Sequence, residues 1–181
     1  LTCGTDMKTR VLMVLESMFP TKSGGGTEAQ VRTLGRNLIE RGFGVSLLVP
    51  MVAYGEQSAS DLVDGIEVTR IAYPKRSKIG AAIMLVKLAL RLFRGRHSYT
   101  SIHAHIAGNM AAVCCVMGFL LRKRVLVKVA GTTEMVGGIL DPRPDLMIRL
   151  RKAALRQAAY YQATSSRIAD MLVRSGFAVE K

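Results

Sequence analysis

The sequence has no tryptophan and only five phenylalanines and five tyrosines in 181 residues. None of these rings is interleaved with basic residues, so the base-stacking platforms of single-strand binders are missing. Helix-turn-helix and zinc-finger spacings are missing too. Three cysteines exclude a disulfide scaffold. Cys114 and Cys115 adjoin inside an apolar run and read as reduced, buried thiols, while Cys3 lies in a polar tail. The apolar run Met110 to Leu121 falls well short of the roughly 20 residues that span a bilayer, and reads as a buried helix. Val11 to Leu15 is too short for a signal-peptide core and is broken by Glu16.

Acidic residues are the most unevenly distributed. There are 13 against 26 lysines and arginines, a formal charge of +13. Between Glu67 and Glu134 there is none, yet that stretch holds Arg70, Lys75, Arg76, Lys78, Lys87, Arg91, Arg94, Arg96, Arg122, Lys123, Arg124 and Lys128. A positive field so concentrated points to a polyanionic partner: nucleic acid, an anionic membrane surface or a phosphorylated substrate.

What is present is ordinary globular material, 49% hydrophobic and 22% charged. A chain this long buries about 70% of its unfolded surface and needs no disulfide or metal to fold. Met7-Lys8-Thr9-Arg10 resembles a natural start that runs straight into a strand. Residues 1–6 are therefore expected to be a tag or upstream scar, and 7–181 the domain. The chain stops at Glu180-Lys181 without a terminal helix or cap.

Apolar runs of strand length alternate with helical stripes. Arg10 to Glu16, Val45 to Val49, Ile66 to Ala72, Thr100 to His105, Val125 to Ala130 and Tyr160 to Thr164 read as strands. Thr27 to Arg41 is helical, with Val31, Leu34 and Leu38 on one face and Gly42 and Gly44 past its end. Helices are also expected at 79–94, 107–121 and 145–157, and a last one is capped by Ser165 or Ser166 and ends at Gly176. Residues 51–64 read as a polar connection. Strands apolar on both faces and alternating with helices predict an α/β, doubly wound, Rossmann-like parallel sheet. In such sheets ligands bind at the carboxyl ends of the strands.

The first strand leads into Gly24-Gly25-Gly26-Thr27-Glu28. Glycines let the backbone approach a ligand, and the following helix start offers N–H groups to an anion; Glu28 could instead cap that helix. The run formally fits G-x-G-x-x-A, but about seven loop residues separate it from the strand and no acidic residue ends the second strand. A nicotinamide cofactor is not expected. The fourth strand carries His103 and His105 on one face, with His105 nearest the cleft. A histidine there can bond a hydroxyl or sit near a phosphate, whereas His103 reads as a satisfied core residue. No third ligand accompanies the pair, so no metal is expected. The fifth strand ends in Gly131-Thr132-Thr133-Glu134, which suits a ligand or an ordinary turn equally well.

Taken in order, these residues resemble the N-terminal half of the family 4 retaining glycosyltransferases, which have the two-domain GT-B fold. The resemblance rests on Gly25-Gly26-Thr27-Glu28, the turn Arg41-Gly42-Phe43-Gly44, Ser101-Ile102-His103-Ala104-His105 and Gln162-Ala163-Thr164-Ser165 through Gly176, and covers about 7–181. It implies an acceptor-binding domain facing a donor-binding domain beyond Lys181, with a nucleotide sugar as substrate and no cofactor. The implied roles are catalysis for His105, next to the transferring sugar, and donor or acceptor binding for Gly24, Gly25, Gly26, Glu28, Gly131 and Thr132. The family's frequent His-Gly after the fifth strand is Ala130-Gly131 here, so any contact by that histidine is lost. Lys87, Arg91 and Arg94 fall on one face of helix 79–94, opposite Met84, Leu85, Leu88 and Leu92. With Lys75, Arg76 and Lys78 they suit the cytoplasmic surface of an anionic membrane. The expectation is sugar transfer to a glycan or lipid-linked acceptor; the alternative is a non-catalytic basic module that binds nucleic acid or other polyanions.

Overall fold

The computed structural model describes residues 9–21, 25–75, 78–135, 137–142 and 144–177. In chain order the elements are β1 (Arg10–Val14), α1 (Gly26–Glu40), β2 (Gly44–Pro50), β3 (Ser60–Val63), β4 (Ile66–Ile71), α2 (Lys78–Arg94) and β5 (Ser101–Ala104). There follow α3 (Asn109–Leu121), β6 (Arg124–Val129), α4 (Thr132–Met135), α5 (Leu146–Leu155), β7 (Tyr160–Ala163) and α6 (Ser166–Arg174). The strands form a single sheet in the order β3-β4-β2-β1-β5-β6-β7. All pairings are parallel except that of β3 with β4.

The sheet is thus α/β and Rossmann-like, as the alternation predicts, but not wholly parallel. The connection 51–64 contains β3, which its sequence hides: Ser60, Asp61 and Leu62 are all exposed, as on an edge strand with no buried face to impose alternation.

Alternation along β1 divides the core. Met13 and Leu15 point one way and pack with Val31 of α1, Leu47, Val49, Ile66 and Val68. Leu12 and Val14 point the other way, into a larger core with Leu88 and Leu92 of α2, Cys114 and Cys115 of α3, Leu155 of α5 and Leu172 of α6. Both cysteines are free and buried, and burial pushes the Cys115 thiol up to about 12. Helices on both faces, with the winding reversed between β1 and β5, leave the carboxyl ends of those two strands side by side.

Gly35 marks how closely α1 lies on the sheet. A Cβ there would run into the side chain of the fully buried Ile66 and crowd Met13. Alanine normally favours a helix over glycine by about 1 kcal/mol, yet Gly35→Ala is expected to destabilise by about 1–2 kcal/mol, because neither neighbour has room to give. The urea midpoint of the variant reads the sign directly.

Candidate functional site

The loop after β1 is anchored from three directions. The Arg70 guanidinium is buried; it donates from Nε to the Phe19 carbonyl at 3.1 Å and from Nη1 to the Ser58 carbonyl at 2.8 Å. Asp61, on the edge strand, steadies it at 3.6 Å. Gln57 Nε2 donates to the Pro20 carbonyl at 3.0 Å. Glu28, in the first turn of α1, accepts the Thr21 N–H at 2.8 Å together with the Thr21 hydroxyl and Arg32 Nε. Burial pushes the Glu28 carboxyl up, but these bonds outweigh it and hold the group below its ordinary value. Glu28 therefore does not cap α1. That position is Gly25, which has no side-chain cap, and Glu28 ties the incoming loop to the helix instead.

Beyond this anchor the glycines face open space. Among the described residues a Cβ at Gly25 or Gly26 would meet nothing within 4 Å, and Gly25 has an ordinary extended backbone. Neither packing nor backbone geometry requires glycine at these two positions; what they supply is room in front of the helix start. Gly24 lies outside the described residues.

The adjacent strand brings the histidines alongside. The His105 N–H donates to the Val14 carbonyl at 2.9 Å, which seats residue 105 directly beside the start of the glycine loop. The ring of His105 stacks on that of His103, centroids 4.2 Å apart. His105 is 1% exposed. Among the described residues neither of its ring nitrogens has a partner, nor has His103 Nε2. His103 is thus not the satisfied core residue expected. Burial depresses both imidazoles, helped by the Lys128 charge and, for His105, by His103: His103 to about 4 and His105 to about 3. Both are neutral at pH 7.

Lys128 and Glu134 complete the cluster. The register β5–β6 puts Lys128 on the face that bears the histidines, and it is buried. Burial lowers its pKa and the Glu134 charge works against that. Glu134 accepts from Gly131 N at 3.0 Å and from Ala107 N at 3.3 Å, so it clamps the loop after β5 to the loop after β6. Gly131 has φ +107° and a Cβ there would strike Ile168, so the turn itself requires glycine. Thr132 opens the short α4. Glu16, just past β1, accepts from Met110 N at 3.0 Å and lies against Gly108. It fixes the start of α3; burial raises its pKa, against the pull of that bond and of Arg151.

The sequence reading missed Glu16, Arg70, Lys128 and Glu134 as parts of this edge. Strand alternation was the signal for Lys128, which lies two residues along β6 from the partner of His103. Among the described residues no group of three or more His, Cys, Asp and Glu side chains is placed to hold a metal ion.

The basic residues after β4 and on α2 make separate contacts. Lys75 Nζ sits 4.4 Å from the Tyr54 ring centroid, and Lys87 Nζ donates to the Ala72 carbonyl at 2.7 Å. Arg91 and Arg94 are exposed near the end of α2, and Lys78 begins that helix. Arg76 lies outside the described residues. Met84, Leu88 and Leu92 are buried as expected. The sequence reading did not identify a third face of α2, on which Ile79, Val86, Leu90 and Phe93 stand exposed.

No curated protein matches the chain significantly. Among solved structures it is similar to MurG from Acinetobacter baumannii, with TM-score 0.51 and 14% identity over 86% of this chain and 41% of that one. It is also similar to sucrose-phosphate synthase from Thermosynechococcus elongatus, with TM-score 0.55 and 14% identity over 94% of this chain and 84% of that one. At such identity these likenesses establish the fold, and the chain spans about two fifths of the MurG chain. The family description Glycosyltransferase Family 4 fits residues 24–181. The chain carries a Rossmann-like domain of the GT-B fold and belongs to Glycosyltransferase Family 4.

Proposed function

We propose that this domain holds the acceptor in a glycosyltransferase that moves a sugar, with retention, from a nucleotide-sugar donor to a glycan or lipid-linked hydroxyl. A second, donor-binding domain would close over the carboxyl ends of β1 and β5. The observation that carries this reading is the buried His105 ring, without a hydrogen-bond partner among the described residues, on the strand bonded to the end of β1, whose loop leads to Gly25 and Gly26. Buried polar nitrogens without partners cost about 1–3 kcal/mol each, a cost that persists where function requires the group. In this role His105 meets the transferring sugar as a neutral hydrogen-bonding group. Gly24, Gly25, Gly26 and Gly131 let the substrates approach the backbone, and Thr132, at the start of α4, takes part in binding. Glu28 acts by holding the glycine loop. The departing diphosphate needs positive charge and N–H groups, and the donor-binding domain would supply most of these.

The test is to incubate the full-length protein with a panel of nucleotide sugars and extracted glycans and lipids, following the anomeric protons by NMR. Transfer with the donor's anomeric configuration supports the reading. An inverted product overturns retention, and consumption of no donor overturns the transferase.

The concentration of lysines and arginines supports a cytoplasmic, membrane-peripheral setting. Lys75, Arg76, Lys78, Lys87, Arg91 and Arg94 would meet anionic lipid, each contributing about 1 kcal/mol near the surface. Neutralising Lys87, Arg91 and Arg94 together is expected to abolish co-sedimentation with anionic liposomes. Binding indifferent to lipid charge would refute that contact.

A further inference from the structure

Most of the large apolar side chains exposed among the described residues lie on α2, α3 and α5, including Val86, Phe93, Val116, Phe119, Met147 and Leu150. Those three helices carry no acidic residue. Between them runs a groove of about 420 Å³, walled by Leu85, Val86 and Ala89 of α2, Ala112, Val113 and Val116 of α3, and Met147, Leu150 and Ala154 of α5. Its polar end is Asn109 and Arg151. Arg151 donates from Nε to Asn109 Oδ1 at 3.0 Å, which ties the guanidinium to the start of α3 and places a cation at this end. Glu16 feels the same charge.

The position of that end matters. Asn109 is the first residue of α3, three residues beyond Ile106 and directly after Gly108, whose backbone lies against Glu16 at the end of β1. One mouth of the groove therefore opens at the carboxyl edge of the sheet, beside the loop that starts with His105. From Asn109 to Met117 the groove follows α3 for about 12 Å at 1.5 Å per residue.

We propose that this groove is a subsite for one hydrocarbon chain of a lipid whose phosphate is held by Arg151. Two properties select this occupant. Its walls are apolar side chains from all three helices, and Asn109 and Arg151 are its polar residues, an arrangement that fits an alkyl chain with one charged head. The surrounding charge is cationic without a carboxylate on any of the three helices, which complements an anionic lipid head. The chain lies along α3 and its head emerges beside residue 105. Within the transferase reading, on which this assignment of purpose rests, the lipid is the acceptor and its head is presented to the donor sugar. Lipid binding itself requires no turnover.

Isothermal titration of the 181-residue chain with dodecyl phosphate below its micelle concentration tests the subsite. Parallel arms use dodecyl maltoside, which has the chain without the anion, and inorganic phosphate, which has the anion alone. Dodecyl phosphate is expected to bind one to one, with dodecyl maltoside weaker and inorganic phosphate weaker still. Ala89→Phe fills the groove and Val116→Glu places a carboxylate on its wall. Each is expected to weaken the alkyl ligands about tenfold or more, and both sites are partly exposed, so thermal melts should stay close to wild type. Arg151→Gln should weaken dodecyl phosphate about tenfold and leave dodecyl maltoside unchanged. Binding unaffected by Ala89→Phe and Val116→Glu, or a chain that is dimeric through this face and takes up no alkyl ligand, overturns the proposal. Dodecyl phosphate bound in the groove by a full-length protein that transfers no sugar would refute the transferase reading and leave the subsite standing.

Discussion

His105→Leu is expected to stabilise the 181-residue chain by about 1–2 kcal/mol while lowering kcat/KM of the full-length protein by a factor of about 10²–10³. The ring is 1% exposed, and both of its nitrogens lack partners among the described residues. Leucine occupies a similar volume and removes the unmet polar atoms. Transfer would then lack the hydrogen-bonding group beside the sugar. Urea unfolding and steady-state kinetics together read the opposed effects. A variant that loses stability as an ordinary core deletion does, with unchanged transfer, would make His105 a packing residue.

The second large effect is on pH dependence. His103 at about 4 and His105 at about 3 lie below the ordinary imidazole value of 6.5, because burial and Lys128 disfavour the charged form. The unfolded chain therefore binds protons that the folded chain refuses. Stability from these groups is fully present above pH 6.5 and falls as pH drops through the window from 6.5 towards 3. Between pH 7 and pH 5 each imidazole should remove about 2 kcal/mol. Glu16 works in the opposite sense: its folded pKa is raised, so acidification favours the folded state through that group. Subtracting the His103→Gln, His105→Gln double variant isolates the imidazoles. Urea midpoints at the two pH values should differ strongly in wild type and much less in the double variant. Equal slopes in both proteins would show that the rings are hydrated.

The sheet was legible because its strands are apolar on both faces, as in Met13 and Val14, which feed opposite cores. The edge strand was not, because Ser60 and Asp61 face water and leave no pattern. With β3 hidden, the role of Arg70 was hidden as well: a lone arginine in a basic stretch reads as surface until Asp61 and the Phe19 carbonyl are seen around it. The histidine pair was readable from alternation. The Glu134 clamp was not, since it joins the backbone N–H groups of Ala107 and Gly131, in loops far apart in the chain. On α2 the buried stripe was clear, but an amphipathic reading assigns every apolar residue to the core. Val86, Leu90 and Phe93 instead remain exposed, because α3 and α5 pack beside α2 without covering it.

The proposal that this domain works only together with a donor-binding lobe is tested most directly by comparing two proteins side by side. The 181-residue chain and the full-length product should be given the same nucleotide sugars and acceptor extract, and labelled sugar in product counted. Transfer by the full-length protein, with none from the shorter chain, is the predicted result. Turnover of a nucleotide sugar by the 181-residue chain alone would contradict it.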